Sequence, residues 1–316
     1  MRIVILDGKT ANPGDLSWQG LEALGDCDIY ERTPVDEVAD RCKDAEIVIT
    51  NKAIVSRQVI ESCPSIKYIG VTATGFNIVD IEAAREKGIV VTNVPAYSTN
   101  SVAQTVFSHL LAHTHHAEGH TQSVMRGEWS NCPDFSYQIH PAAEIAHRTL
   151  GIVGLGAIGR AVAKIALGFE MNVVAYNHRP KDPPEGVKMV DLDALLTESD
   201  VVSLHCPLTP DTEGLINAQR LAMMKPTAIL INTSRGPLLD EAAVAEALNS
   251  GQIAGAGVDV LSAEPPPADH PLLAAKNCTV TPHLAWASRA ARERLLAVTI
   301  ANVEAFLAGT PQNVVN

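Results

Sequence analysis

The stretch GIVGLGAIGRAVAKIALGFEMNVVAYNHRPK, Gly151 to Lys181, decides how the rest of the chain is read. It opens on an apolar run and turns through Gly154, Gly156 and Gly159. A segment of helical periodicity, RAVAKIALGF, then leads to a second apolar run, NVVAY. A lone GxGxxG is weak evidence, but between a strand and a helix it has a mechanism. The first glycine makes the turn, the second lets backbone approach a pyrophosphate, and the third lets helix pack on strand, while the helix N-terminus attracts the phosphates. The stretch is therefore read as the opening of a dinucleotide-binding domain. Its end departs from the pattern: where an acidic residue should hold the ribose, the chain has Asn177, His178, Arg179, Pro180 and Lys181.

Outward from this stretch, short apolar runs alternate with helix-like segments. Leu150–Val153, Val173–Tyr176, Val201–His205, Ala228–Asn232, Gly257–Val260 and Cys278–Thr281 read as the strands of this domain. Ile3–Leu6, Ile47–Thr50, Tyr68–Val71 and Val90–Thr92 form an earlier series. Such alternation marks an α/β fold, a parallel sheet with helices on both faces. At 316 residues the chain is long for one core, so two domains are expected. Between the two series a long helix should start near Ser101, capped by Ser98, Thr99 or Asn100. The last segment, SRAARERLLAVTIANVEAFL, reads as a helix returning to the first domain.

Hydrophobic content of 46% with 19% charged residues describes an ordinary globular protein. A formal net charge of -12 argues against nucleic acid and anionic membrane surfaces as partners. The six cysteines are scattered without a CxxC pair, which suits neither a zinc site nor a disulfide framework. No apolar run has the length of a membrane span, and MRIVILDGKT is too short in its apolar part for a signal peptide. These features together lead to an expectation of reduced thiols and a cytoplasmic location.

Three residues turn the argument from fold to reaction. Arg235 follows an apolar strand in LINTSRGPLLDE, Glu264 follows another in GVDVLSAEPPP, and His283 follows a third in VTPHLAWAS. Alone, each has an ordinary reading as a solvated arginine, a surface glutamate or a satisfied histidine. Together, at the C-terminal edge of one sheet, they favour a site. His109, His113, His116 and His120 fall at helical spacing on one face, a pattern that also suits a metal. The reading adopted here has no metal.

The motifs GLGAIGRAVA, HCPLTPDTEGLI, LINTSRGPLLDE, GAGVDVLSAEP and TPHLAWAS resemble those of the D-isomer-specific 2-hydroxyacid dehydrogenases, and the likeness runs essentially the whole length. ILDGKTANPGDLSW, TNKAIV and VTATGFNIVDIEAA are similar to its glycerate dehydrogenase (hydroxypyruvate reductase) branch. The resemblance implies a Rossmann-type domain inserted into a flavodoxin-like substrate domain. Residues 1–98 and 288–316 would form the substrate domain and 99–287 the dinucleotide-binding domain, with 99–127 a long helix at the interface of a homodimer. It implies NAD(P)H-dependent reduction of a small 2-oxo acid, hydroxypyruvate to D-glycerate, with glyoxylate as side substrate. D-lactate, 2-ketogluconate and D-3-phosphoglycerate stay open as alternatives. So does a dinucleotide-sensing, co-repressor-like binding protein.

By the same resemblance His283 is the general acid, Glu264 orients its imidazole, and Arg235 binds the substrate's carboxylate and carbonyl oxygen, a bidentate task for a planar fork. Thr74 and Gly75 match the carboxylate-binding loop, and Trp286 is a further substrate contact; Lys52 is either an extra contact for a small anionic substrate or a solvated lysine. The cofactor would meet Gly154, Gly156, Ala157, Ile158 and Gly159, then Asn177, His178 and Arg179, and His205, Cys206 and Pro207. Thr233, Ser234 and His283 complete the set, with Asp259 the partner of the nicotinamide carboxamide. In the family's NAD users an Asp stands where this chain has Asn177. An Asp repels a 2′-phosphate; Asn does not, and Arg179 or Lys181 neutralises it. The other reading has Asn177 bonding the ribose with the basic residues solvated. NADPH, used alongside NADH, is the reading adopted.

Overall fold

Apolar runs bounded by turns build most of the first sheet: β1 (Arg2–Ile5), β2 (Asp26–Ile29), β3 (Ile47–Thr50), β4 (Tyr68–Val71) and β5 (Val90–Thr92). The computed structural model describes residues 1–179 and 181–316. By its contacts the chain divides into one unit of Met1–Ser98 with Ala287–Asn316 and another of Thr99–Trp286. In the first unit the five strands pair in parallel in the order β2-β1-β3-β4-β5, the flavodoxin order. β3 and β4 are buried along their whole length, so they read as unbroken apolar runs. The edge strand β2, reading DCDI, is half exposed and gave no such run.

The helix Arg289–Leu307 packs on this sheet. Val303 joins Ile3, Ile47 and Ile49 in the core, and Phe306 lies 4.9 Å from the ring of Tyr68. At its start Arg292 forms a two-point pair with Asp15, at 2.6 and 2.7 Å. The chain's end covers the free edge of β5: Val315 N–H donates to Val91 O, and Val91 N–H to the Asn316 side chain.

The second unit holds seven parallel strands: β6 (Thr149–Val153), β7 (Asn172–Tyr176), β8 (Val187–Met189), β9 (Val201–Leu204), β10 (Ile229–Asn232), β11 (Gly255–Val258) and β12 (Cys278–Val280). Their order is β12-β11-β10-β9-β6-β7-β8. Strand order reverses between β6 and β9, the switch point outside which ligands of such sheets bind. The short edge strand β8, VKM, has an exposed lysine at its centre and no sequence signal.

The single helix expected over 99–127 is two, Thr99–His115 and Ala117–Met125. His116 between them is left-handed, at φ 48°, which a right-handed helix cannot absorb. The carbonyl of Thr114 accepts instead from Ala143 N–H at 2.9 Å. The four-histidine face is broken with it. His109 and His113 turn inward, where His109 bonds Thr279 and Thr281 and His113 Nε2 meets Ala256 O at 2.9 Å. β11 reads GAGV, and its glycines are the slots: a Cβ at Gly257 would lie 2.6 Å from that of His109, and one at Gly255 2.8 Å from the His113 ring. Among the described residues no group of three or more His, Cys, Asp or Glu is arranged to hold a metal ion. None of their helices is long and apolar enough to cross a membrane.

Candidate active site

The turn after β6 is built as its glycines require. Gly154 has φ 101° and donates its N–H to Tyr176 O at 2.8 Å. A Cβ there would lie 2.6 Å from Cys206 N, and one at Gly159 would lie 2.2 Å from Gly154 O. At Gly156 a Cβ would meet nothing within 4 Å. Gly156 caps the helix Ala157–Gly168, so the N–H groups of Ala157 and Ile158 begin a first turn with no intrahelical acceptors. Tight at two glycines and open at the middle one, the turn fits a pyrophosphate drawn to a helix N-terminus.

Asn177 is occupied within its own loop. Its Oδ1 accepts from Leu155 N–H at 3.0 Å and its Nδ2 donates to Arg179 O at 2.6 Å. His178, Arg179 and Lys181 are exposed, while Pro180 lies outside the described residues. After β9, His205 Nε2 lies 2.9 Å from Ser203 Oγ, and its Nδ1 is buried without a partner. Burial pushes this imidazole down to about 4, so it is neutral at physiological pH. Cys206 is half-buried, and burial raises its thiol; Pro207 is exposed.

The loop after β10 is organised by a residue the sequence reading passed over. Asn232, fully buried, donates to Arg235 O at 2.8 Å and accepts from Ser234 N–H at 3.0 Å. Ser234 Oγ donates to Leu204 O, and Thr233 Oγ1 is buried without a partner. Arg235 is left exposed, with one guanidinium N–H on Ser234 O.

The Asp259 carboxylate is engaged within its own unit. It is 1% exposed, and three donors take it up: Thr281 Oγ1 (2.6 Å), Leu284 N–H (2.9 Å) and Ala285 N–H (2.9 Å). It therefore ties down the loop that carries His283. His283 is itself left-handed, at φ 50°, with its N–H on Asp259 O at 2.8 Å. Non-glycine residues in this region cluster at functional sites. Its Nδ1 lies 2.6 Å from Glu264 Oε2, and Glu264 Oε1 accepts from Leu261 N–H at 3.1 Å. The second unit thus brings Glu264 and His283 together, with half-buried Trp286 on the same loop as His283.

In the first unit, Lys52 lies just past β3 and Thr74 and Gly75 just past β4, on the C-terminal ends of neighbouring strands. The Asp7 carboxylate gathers the N–H groups of Asn51 (2.7 Å), Lys52 (2.5 Å) and Ala53 (2.9 Å). Thr74 Oγ1 donates to Val94 O, and Asn93 donates to Thr74 O. Asp7, Asn51, Asn232 and Asp259 share one signal: each is a polar residue that ends an apolar run or follows it directly.

The model of the D-isomer specific 2-hydroxyacid dehydrogenase family's NAD binding domain matches residues 107–285. A hydroxypyruvate reductase of Blautia hydrogenotrophica is 49% identical over 321 residues, the whole of both chains. A glycerate dehydrogenase of Methylorubrum extorquens is 44% identical over 289 residues, 90% of each. A crystal structure of a protein from Thermus thermophilus superposes with a TM-score of 0.89 at 37% identity, covering all of both chains. With a glycine turn open to a pyrophosphate and a histidine–carboxylate pair on the same sheet edge, the chain belongs to the D-isomer-specific 2-hydroxyacid dehydrogenases, oxidoreductases that use a nicotinamide dinucleotide.

Proposed function

We propose that this dehydrogenase reduces hydroxypyruvate to D-glycerate, takes glyoxylate as a side substrate, and prefers NADPH while accepting NADH. One observation carries the reaction: the 2.6 Å contact between His283 Nδ1 and Glu264 Oε2. Glu264 accepts the Nδ1 hydrogen, which fixes the ring and leaves Nε2 as the atom that exchanges a proton with substrate. The bound cofactor supplies the hydride for C2. Nε2 of the imidazolium protonates the carbonyl oxygen, and the neutral ring takes the proton back in the reverse direction. Arg235 pairs with the substrate's carboxylate and carbonyl oxygen. Backbone at Thr74 and Gly75, with Lys52, holds the carboxylate, and Trp286 borders the substrate. Identity of 49% to a hydroxypyruvate reductase supports the choice of substrate.

The residues fit the cofactor as follows. Gly154, Gly156, Ala157, Ile158 and Gly159 hold the pyrophosphate; His205, Cys206, Pro207, Thr233 and Ser234 line its approach; Asp259 partners the nicotinamide carboxamide and holds the His283 loop. Asn177 brings no negative charge, and the exposed Arg179 and Lys181 would neutralise a 2′-phosphate. The enzyme works as a homodimer. The support is a run of exposed apolar side chains, Val124, Met125, Trp129, Phe135 and Ile139, in and after the helix Ala117–Met125.

Steady-state oxidation of NADPH and of NADH, each with hydroxypyruvate and with glyoxylate, tests this. The expected order in kcat/KM is hydroxypyruvate over glyoxylate and NADPH over NADH. A preference for NADH overturns the cofactor reading. Turnover of pyruvate or 2-ketogluconate without hydroxypyruvate overturns the substrate.

A further inference from the structure

Glu264 reaches His283 from Leu261–His270, a segment with no helix or strand of its own and three consecutive prolines, Pro265 to Pro267. A shielded carboxylate reaches both of its ends. Glu241, the first residue of the helix Glu241–Ser250, accepts from Ser262 N–H with Oε1 at 2.9 Å and faces His270 Nε2 with Oε2 at 3.1 Å. The side chains of His270 and Glu241 are only 6% and 11% exposed. His270 Nδ1 accepts from Leu272 N–H, so the neutral ring carries its hydrogen on Nε2 and donates it to Glu241. One carboxylate thereby ties both ends of the segment that holds Glu264.

The tie is close to the working groups. Leu261 N–H, one residue before Ser262, holds Glu264 Oε1 at 3.1 Å. The Leu261–Ser262 backbone lies against Gly236, where a Cβ would come within 2.0 Å of Leu261 C, and Gly236 directly follows Arg235. We propose that Glu241 is a positioning residue that sets Glu264 against His283 through Ser262 and His270. The proposal rests on the reading of Glu264 and His283 given above. The chemistry demands a carboxylate, because both partners donate. A glutamine offers one acceptor oxygen and one NH2 group, so either Ser262 N–H or the His270 Nε2–H would face another donor.

The test is a cycle of Glu241→Gln, Glu264→Gln and the double variant in the whole enzyme. For each, kcat, the KM of both substrates, the alkaline limb of the kcat–pH profile and the thermal midpoint are measured. Glu241→Gln should lower kcat roughly 10-fold, since small misplacements at a reacting centre cost up to about 10²-fold. KM for the dinucleotide should hold, and the alkaline limb should move in the same direction as in Glu264→Gln. In the Glu264→Gln background the same change should cost less than about 2-fold, because residues acting through one another are not additive. An equal loss in both backgrounds, or no loss in the parent, overturns the proposal. Full turnover in Glu264→Gln overturns the reading of Glu264, and with it the role of Glu241. Should Glu241→Gln fail to fold, His270→Asn leaves the carboxylate in place and takes its position in the cycle, with the same criteria.

Discussion

The side-chain amide of Asn177 donates to the carbonyl oxygen of Arg179 across 2.6 Å, while its oxygen accepts from Leu155 N–H at 3.0 Å. One amide thus couples the glycine turn to the loop of basic residues. Aspartate keeps the acceptor for Leu155, loses the donor for Arg179, and adds a negative charge where the proposed 2′-phosphate lies. Asn177→Asp is expected to lower kcat/KM for NADPH by roughly 10- to 100-fold, the range of an unmade bond plus a repulsive charge. NADH should change far less, and Arg179→Ala should raise KM for NADPH alone. Equal losses for both cofactors would remove the 2′-phosphate from the explanation.

His283→Ala separates an enzyme from a dinucleotide sensor. Without the proton donor, kcat should fall by about 10²–10⁴-fold. Dinucleotide affinity, measured by calorimetry, should stay within about 2-fold, because the glycine turn is untouched. Retention of most of the turnover would mean that another group donates the proton.

Arg235→Lys probes the fork rather than the charge. A lysine keeps the positive charge but offers a point donor in place of two parallel N–H groups. KM for hydroxypyruvate should rise about 10-fold or more, with KM for the dinucleotide unchanged. An unchanged KM for hydroxypyruvate would place its carboxylate on other residues.

What the sequence made legible follows from burial. β3, β9 and β10 are enclosed on both faces and announce themselves as apolar runs. β2 and β8 are edge strands with exposed polar residues, and a short polar strand looks like a loop. The glycine turn was legible because backbone geometry admits few alternatives there. The role of Asp259 was not, since its three partners lie more than twenty residues away, beyond β12. His109 and His113 show the same limit. Their spacing is equally that of a metal site and that of side chains filling glycine slots, and only the apposition of β11 decides between the two.

The buried histidines give the fold an acid limit. Burial holds His205 at about 4 and lowers His109 and His113 as well. In the unfolded chain each titrates near ~6.5. Their contribution is therefore full above that pH and declines below it, as the unfolded state takes up protons that the folded state refuses. For His205 the decline ends near 4. Each such group costs about 1.4 kcal/mol per pH unit within its window. The thermal midpoint of the cofactor-free protein should fall steadily on acidification from about pH 6.5. His205→Asn should flatten that slope; an identical slope would assign the loss to other groups.

Met125 is 83% and Phe135 91% exposed, values that a soluble surface does not favour for such large apolar groups. A buried aromatic covers roughly 150–250 Å², and a stable interface takes about 800 Å² from each partner. These two with Val124, Trp129 and Ile139 therefore supply a substantial part of one, from a short segment. Sedimentation equilibrium should find a dimer for the parent. Met125→Ser with Phe135→Ser should shift it toward monomer, while the thermal midpoint of the monomer form stays close to that of other surface variants, since neither side chain belongs to a core cluster. A parent that sediments as a monomer at micromolar concentration would leave this face without its proposed partner, a second copy of the chain.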